Sequence, residues 1–150
     1  MTTILAEQIA VELARFSSTT RLYELSVDDS SAGLSTKELL VEAFLADEAL
    51  NELDVRDLIV LSTNAHIELE KLLGQSAKLQ IALANGSRTS FTGEISEVAM
   101  LGSDGGLARY RVRISPWLWR LGQVRNSRVW QDKTVIGIVD SVFDWRRTSS

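Results

Sequence analysis

The chain has 150 residues, of which 45% are hydrophobic and 24% charged, proportions that are usual for one globular domain. No apolar run approaches the roughly 18–20 residues needed to span a bilayer, and the amino terminus lacks the basic start and cleavage site of a signal peptide. The absence of cysteine excludes disulfides, cysteine-based zinc sites and a thiol nucleophile. We therefore expect synthesis in the cytoplasm without export through the signal-peptide route.

The net charge of −4 conceals an uneven distribution along the chain. Residues 1–75 carry 5 Lys and Arg against 14 Asp and Glu, a net charge of −9, whereas residues 76–150 carry 11 against 6, a net charge of +5. The two halves can attract each other between identical subunits or face each other within one chain. The overall acidity argues against nucleic acid as a partner, because it repels phosphate.

The first elements mix helix and strand signals. Residues 3–16 predict a short helix from their apolar spacing, and residues 22–27 predict a strand with alternate apolar positions. Residues 28–33 are polar and predict a turn. Residues 39–45 fit a strand, although the Leu, Ala and Glu content of 37–50 favours a helix by propensity. The residues that such a strand would place on one face are Leu39, Val41, Ala43 and Leu45.

The middle of the chain predicts a run of antiparallel strands. Residues 55–62 are apolar on both faces and suit a central strand, and residues 64–73 predict a short helical or turn segment ended by Gly74. Residues 78–83 alternate, with Leu79, Ile81 and Leu83 expected to point inward. Asn85-Gly86 then predicts a tight hairpin turn. The return strand over 88–100 changes phase, which indicates a bulge near Gly93 or Ser96.

The stretch after residue 100 has the clearest alternation. A glycine-rich turn over 102–106 precedes a strand in which Tyr110, Val112 and Ile114 point one way and three arginines the other. Pro116 ends this strand. The segment after it, which contains Trp117, Leu118, Trp119 and Leu121, predicts an apolar plug, in which one of the two tryptophans closes the barrel and the other faces a neighbouring lobe or subunit. The outward arginines are Arg109, Arg111 and Arg113.

From Thr134 the apolar spacing changes to that of a helix, with Asp132 as the expected N-cap. Six strands joined by short turns, followed by this helix, predict a mainly β (α+β) fold. Its expected form is an antiparallel β-barrel-like domain with short helices and a C-terminal helix that opens a second lobe.

The order LARYRVRISPWLW, about ten polar residues, then SRVWQDKTVIGIVDSVF resembles the amino-terminal hub region of the VgrG family of type VI secretion spike proteins. That family is similar to the phage late control protein D and other contractile-tail hub proteins. The resemblance runs from about residue 21 to 144 and favours a strand over 39–45. The family usually opens its next strand with Phe-Glu-Tyr, whereas residues 53–56 here read Leu-Asp-Val-Arg, so the local packing is expected to differ.

The resemblance implies three parts: an amino-terminal extension (1–20), a first hub barrel (21–122) and the start of a second hub lobe (123–150), cut short at its end. It implies a structural role without enzymatic activity or cofactor. Three copies would form a hub that docks on the tail tube and baseplate components. A membrane would be involved only as the target that the spike punctures. The hub would leave the cell through the type VI machine with its effectors. The expected interface residues are Arg109, Arg111, Arg113, Trp117, Trp119 and Trp130.

No residue pattern predicts a catalytic or metal site. His66 is the one histidine and lacks cysteine partners for zinc. Ser62 and Asp57 lie near it in sequence, but no strained nucleophile turn of the Gly-x-Ser-x-Gly kind is present. The alternative function is a monomeric binding barrel that holds an oligosaccharide or peptide with exposed tryptophans, which stack well on planar or apolar groups.

Overall fold

The computed structural model describes residues 21–28, 39–125 and 127–147, the last three by their backbone alone. The expected helix over 3–16, the amino-terminal extension and most of the turn over 28–33 lie outside these ranges. No helix in the described part of the chain is long and apolar enough to cross a membrane.

The described residues form one six-stranded sheet in which every neighbouring pair is antiparallel. The strands are β1 (Tyr23–Val27), β2 (Leu40–Asp47), β3 (Val55–Ser62), β4 (Ser76–Ala82), β5 (Arg88–Asp104) and β6 (Leu107–Ser115). Their order across the sheet is β1-β4-β5-β6-β3-β2. The helices are α1 (Leu69–Leu72), α2 (Trp119–Gly122) and α3 (Val135–Arg147).

The sheet curls until its two edge strands approach each other. β1 and β2 lie at opposite ends of the strand order, yet the Tyr23 and Phe44 rings meet edge to face with centroids 5.1 Å apart. The contact joins the edges through side chains, without a hydrogen-bonded ladder between them. The predicted antiparallel, barrel-like and mainly β fold is thus confirmed, and the strand over residues 39–45 is confirmed against the helix favoured by propensity.

The core lies on the inner face of the curled sheet. β3 and β6 are interior strands of the sheet, each paired on both sides, and alternate residues of β6 and of β3 from Leu58 onward are at most 2% exposed. These inward residues are Leu58, Val60, Ser62, Ala108, Tyr110, Val112 and Ile114. Burying one large apolar side chain contributes about 1.5–3 kcal/mol, so this inner face supplies most of the stabilisation. The predicted inward set of β6 and the central position of β3 are confirmed.

One end of the barrel is closed by the segment between β3 and β4. Leu72 of α1 is buried, and Gly74 ends the helix with φ 79°, as the sequence predicts. Its N–H donates to the Ile95 carbonyl at 2.8 Å, which ties this segment to β5. The Tyr110 hydroxyl donates to the Asn64 carbonyl at 2.9 Å, so the same lid is also fixed to β6.

β5 is longer than predicted because it continues through two bulges. The pairing with β6 shifts between Ile95 and Glu97, so Ser96, one of the two predicted positions, is the bulge residue. The pairing shifts again between Met100 and Gly102. The turn between β5 and β6 is therefore shorter than the predicted turn over residues 102–106. It consists of Gly105 and Gly106 alone. Both have positive φ (59° and 85°), which a two-residue turn requires if its twist is to match that of the two flanking strands.

The predicted face of β2 is wrong beyond Val41. The pairing with β3 shifts between Val41 and Ala43, so Glu42 is an extra residue that reverses the alternation. Phe44 therefore packs against the core, whereas Leu45 is 69% exposed. Leu39 is buried as expected, just before the strand begins.

The predicted inward position of Leu83 is also wrong. β4 ends at Ala82, and Leu83 lies in the hairpin turn, where its N–H donates to the Ser87 carbonyl. The Asn85-Gly86 turn itself is confirmed. Gly86 has φ 82°, and the Asn85 side-chain oxygen accepts a hydrogen bond from the Ser87 N–H at 3.0 Å.

Helix α3 is confirmed, but its cap differs from the prediction. The Thr134 hydroxyl accepts a hydrogen bond from the Gly137 N–H at 3.1 Å, which makes Thr134 the N-cap. Asp132, the expected cap, lies two residues earlier with φ 55°. Val135, Ile136 and Val139 are exposed, so part of the apolar surface of this helix is left uncovered by the described residues.

Gly93→Ala tests the close approach of β5 to β6. A Cβ at this position would lie 2.4 Å from the Ser115 carbonyl oxygen, a backbone atom that cannot turn aside. We expect the free energy of unfolding to fall by about 1–3 kcal/mol, the usual cost of overpacking. Urea unfolding measures it. Gly122→Ala is the control, because nothing lies within 4 Å of its Cβ, and an equal loss there would contradict the explanation.

Phe44→Ala and Leu45→Ala together test the bulge at Glu42. Phe44 contacts Tyr23 and the core, so its truncation is expected to lower the free energy of unfolding by at least about 2 kcal/mol. Leu45→Ala is expected to change it by less than about 0.5 kcal/mol, because that side chain is exposed. If β2 had no bulge, Leu45 would face the core and Phe44 the solvent. Leu45→Ala would then be the more destabilising substitution in the same urea experiment.

Candidate functional site

Three arginines stand in a row on the outer face of β6. The alternation that turns Tyr110 inward turns Arg109, Arg111 and Arg113 outward, and each guanidinium meets an acid from another strand. We call these six side chains the arginine surface. They are Glu42 of β2, Asp57 of β3, Glu97 of β5, and Arg109, Arg111 and Arg113 of β6.

Glu42 and Asp57 each hold one arginine in a fixed geometry. Arg109 donates from Nε and Nη2 to the two carboxylate oxygens of Glu42, at 2.9 and 2.8 Å. Arg113 makes the same fork with Asp57, at 3.0 and 2.9 Å, and its Nη1 donates to Glu97 at 2.7 Å. Such paired hydrogen bonds fix the guanidinium plane as well as its position.

Glu97 joins two of the arginines. One of its oxygens accepts from Arg113 and the other from Arg111, at 2.8 Å. The hydrogen bonding of Arg113 to the Asp57 carboxylate, which accepts, is the main cause that raises the pKa of Arg113 above its usual value, with Glu97 adding to the effect. The arginine surface therefore carries three positive and three negative charges that cancel within it.

The energetic effect of these pairs is modest. The side chains are partly exposed, and pairs of this kind contribute roughly 0–1 kcal/mol each. Their main effect is orientation, since they hold polar groups of four neighbouring strands in one arrangement. The sequence indicated the arginines and their direction, but it did not indicate which acids would meet them.

The uneven charge of the two halves of the chain is partly balanced within the molecule. Glu42–Arg109, Asp57–Arg113 and Glu24–Arg88 each join an acid of residues 1–75 to an arginine of residues 76–150. These three ion pairs support the intrachain alternative that the sequence left open.

A shallow depression borders the arginine surface at the β5–β6 turn. It is open to solvent and has a volume of about 550 Å³. Its apolar walls are Leu61, Leu101 and Leu107, while Arg109 supplies a charged edge. Gly102, Ser103 and Asp104 complete the lining. The second bulge of β5 shapes this depression, a feature that the predicted five-residue turn did not anticipate.

The prediction that one tryptophan closes the barrel is wrong, because neither Trp117 nor Trp119 belongs to the buried core. The predicted plug is turned to solvent at Trp117 and Leu118. Both are exposed (47% for Trp117), because the backbone turns sharply after Pro116: the Trp119 N–H donates to the Pro116 carbonyl at 2.9 Å. Trp117 instead meets Phe143 of α3 edge to face, with ring centroids 5.1 Å apart. Trp119 and Trp130 are half-buried and outside the buried core.

Arg56 is a buried residue that the sequence analysis missed. It occupies an inward position at the start of β3 and is only 7% exposed. Its guanidinium lies 4.5 Å from the centre of the Phe91 ring and pairs with Glu48 and Asp54. The signal was present, since residue 56 is in phase with Leu58 and Val60. Where the family has its aromatic segment, this chain therefore has an arginine that stacks on a phenylalanine.

The residues considered for catalysis are not brought together. Asp57 points outward and binds Arg113, whereas the fully buried Ser62 faces the core and accepts a hydrogen bond from the Asn64 N–H. The backbone of His66 donates to the Asn64 side chain at an exposed turn. Among the described residues, no group of three or more His, Cys, Asp or Glu could hold a metal ion.

Comparisons with known proteins agree with this architecture. The sequence pattern of the phage tail baseplate hub (GPD) family matches residues 47–150. The type VI secretion system spike protein VgrG1c of Pseudomonas aeruginosa is 32% identical over 128 residues, 85% of this chain and 17% of that protein. VgrG1a of the same organism is 31% identical over 105 residues, 70% of this chain and 16% of that protein. The chain therefore spans about one sixth of the length of these relatives.

A solved structure shows the same fold. The Escherichia coli protein c3393, described as a component of the type VI secretion system with structural similarity to the bacteriophage T4 tail proteins gp27 and gp5, matches with a TM-score of 0.71. The identity is 24%, and the match covers 85% of this chain and 33% of that one. The resemblance seen in the sequence is confirmed: this chain belongs to the phage tail baseplate hub family.

Proposed function

We propose that this chain is a structural, non-enzymatic part of a type VI secretion or contractile-tail spike, from the amino-terminal region of its hub. Three copies assemble, dock on the tail tube and baseplate components, and transmit the force that drives the spike through a membrane and delivers effectors. The observation that carries the proposal is the match of residues 47–150 to the tail hub family, on a barrel-like sheet of the same fold. The chain would leave the cell through the type VI machine.

The proposal divides the chain as the sequence did: an extension over 1–20, a first barrel over 21–122 and the start of a second lobe from 123. Two observations support the last boundary. The sheet ends at Ser115, and α3 carries exposed Val135, Ile136 and Val139. An apolar helix surface of this kind is suited to burial by further protein, here a second hub lobe.

The proposed contact surfaces are the arginine surface and the tryptophans Trp117, Trp119 and Trp130. Arg109 and Arg111 are about half exposed, while Glu42 holds the guanidinium plane of Arg109 and Glu97 accepts one hydrogen bond from Arg111. Protein interfaces favour arginine and aromatic residues, and an arginine already ordered loses little entropy on binding. The apolar depression beside Arg109 can receive a partner's side chain.

One observation favours a second candidate. Trp117 is 47% exposed, which suits a monomeric barrel that holds an oligosaccharide or peptide against its aromatic ring. A shift of tryptophan fluorescence on addition of soluble oligosaccharides or short peptides, in a chain that stays monomeric, would favour this function over the hub.

Solution mass tests the proposed assembly. We expect light scattering to give about three times the 16.6 kDa of one chain. The mass should be nearly equal in about 0.05 M and about 0.5 M NaCl, because the outer charges are already paired within the chain and the added salt has little attraction between copies to screen. A monomer at all concentrations, also in a chain extended beyond residue 150, would contradict the hub proposal.

Arg111→Glu tests the arginine surface as a contact. The substitution places a carboxylate beside Glu97 and changes the local charge from zero to −2. We expect association to weaken at least about tenfold, or about 1.4 kcal/mol, measured by light scattering across a dilution series. Lys78→Glu is the control, since it makes the same change of charge at an exposed position on β4. If the two folded variants have equal dissociation constants, the arginine surface is not part of the interface.

A further inference from the structure

The depression at the β5–β6 turn combines apolar walls with a guanidinium group of fixed orientation. Leu61, Leu101 and Leu107 form the walls, and Arg109 stands at the edge with 53% of its side chain exposed. The two hydrogen bonds from Arg109 to Glu42 leave from Nε and Nη2, which lie in the guanidinium plane. Stacking on a face of that plane would therefore leave the ion pair in place.

This combination suits an aromatic side chain. An aromatic ring buries a large apolar area, and its face attracts a guanidinium group, most strongly when the ring is that of tryptophan. An anionic group fits the depression less well, because Glu42 already neutralises Arg109 and Asp104 adds a second carboxylate to the lining. The chemistry of the depression therefore indicates a partner with an exposed aromatic ring.

Trp117 provides such a ring. Among the residues whose side chains the structure describes, it is the one aromatic residue that is exposed rather than half-buried or buried. Its edge-to-face contact with Phe143 orders the indole, so a contact made by this ring costs less entropy. Leu118, which follows it, is also exposed and adds apolar area beside the ring.

Trp117 cannot enter the depression of its own copy. It follows β6 at the Ser115 end, whereas Arg109 lies near the opposite end of the strand. The strand from Arg109 to Ser115 spans about 20 Å at about 3.3 Å per residue, which is farther than a tryptophan side chain extends. The salt bridge of Arg120 with Glu94, the residue that pairs with Ser115, keeps the segment after β6 at that end. The two sites can therefore meet only between copies.

We propose that Trp117 of one copy occupies the depression of the next copy and stacks there on Arg109. This inference rests on the proposed hub function, from which it takes the assembly of copies, and it names the contact that joins them. The two sites lie on different surfaces of the molecule, so the contact is head to tail. Contacts of this type form a ring when the rotation between copies closes. The arginine surface and the tryptophan are then two sides of one interface.

The charges around the two sites have opposite signs. Residues 117–133 contain 4 Lys and Arg against 1 Asp, a net charge of +3, of which Glu94 matches Arg120. The depression carries the carboxylate of Asp104 beside an arginine that Glu42 neutralises. Exposed ion pairs contribute little to affinity, so the charges favour one orientation and the burial of Trp117 supplies most of the attraction. This division agrees with the weak effect of salt on the mass expected above.

Site-specific photocrosslinking tests the contact directly. Trp117 is replaced by the photoreactive aromatic residue p-benzoylphenylalanine, and this chain is mixed with isotope-labelled wild-type chain. We expect illumination to join residue 117 to peptides that contain Leu61 or residues 101–109. Mass spectrometry should find the isotope label in the joined peptide, which identifies a contact between copies. The same replacement at Lys78, exposed on β4, is the control and should give no such product.

Filling the depression from within its own copy is an independent test. Ser103 lines the depression and is exposed, so Ser103→Phe should leave the fold intact, which thermal unfolding checks. We expect this variant to weaken association at least about tenfold in a dilution series and to abolish the crosslink from residue 117. Thr89→Phe is the matched control, because it adds the same ring at an exposed position in the part of β5 that β4 pairs. It should associate like the wild-type chain.

The outcomes separate this inference from the hub proposal. A trimeric chain whose residue 117 crosslinks only outside the depression, or whose Ser103→Phe variant associates like the Thr89→Phe control, overturns the docking and leaves the hub intact. Crosslinks into the depression in dimers or open ladders, without a closed trimer, support the docking and contradict the three-fold hub. A chain that stays monomeric at all concentrations overturns the docking, and if it does so when extended beyond residue 150, it overturns the hub as well.

Discussion

The architecture depends on the strict alternation of one strand, β6. Its inward side chains Tyr110, Val112 and Ile114 fill the core, and its outward arginines form the middle of the arginine surface. Because β6 pairs with β5 on one side and β3 on the other, any slip of its register would exchange apolar and charged side chains on both faces. The core and the outer surface are therefore specified by the same nine residues.

Bulges turn this flat alternation into a curved molecule. An extra residue at Glu42, Ser96 and near Leu101 increases local twist and bends the strands, and the curl brings Tyr23 of β1 to Phe44 of β2. Two of these bulges have a local partner. Glu42 is held by Arg109, and the Ser96 hydroxyl lies 2.7 Å from that of buried Ser115. Gly93 lets β5 approach Ser115 closely at the same point of the sheet.

Membership in the tail hub family gives this geometry a mechanical interpretation. Among the described residues no group of three or more His, Cys, Asp or Glu could hold a metal ion, whereas charges on the outer face are paired and ordered across four strands. The proposed hub function requires stiff, mutually aligned surfaces. The curved sheet and the ordered arginines are features of shape, and the proposed function rests on shape and symmetry.

The sequence by itself determined the elements whose physical cause is local. Period-two alternation predicted β6 with its inward and outward sets, Asn85-Gly86 predicted a hairpin, Gly74 a helix end, and a phase change the bulge at Ser96. The choice of strand over helix for β2 needed the family resemblance, because the propensities of its residues favour a helix. The outward arginines, the main part of the candidate site, also followed from alternation alone.

Only the tertiary structure decided what depends on distant neighbours. The bulge at Glu42 leaves no mark in the pattern of β2, since its apolar residues fit either phase, and pairing with β3 selects the phase that buries Phe44. The acids that meet the arginines come from three other strands, so sheet order decides them. Arg56 is buried because Phe91, Glu48 and Asp54 surround it, and Trp117 turns outward because the backbone bends after Pro116. Local periodicity fixes the direction of a side chain, but its partners are fixed by strand order and curvature.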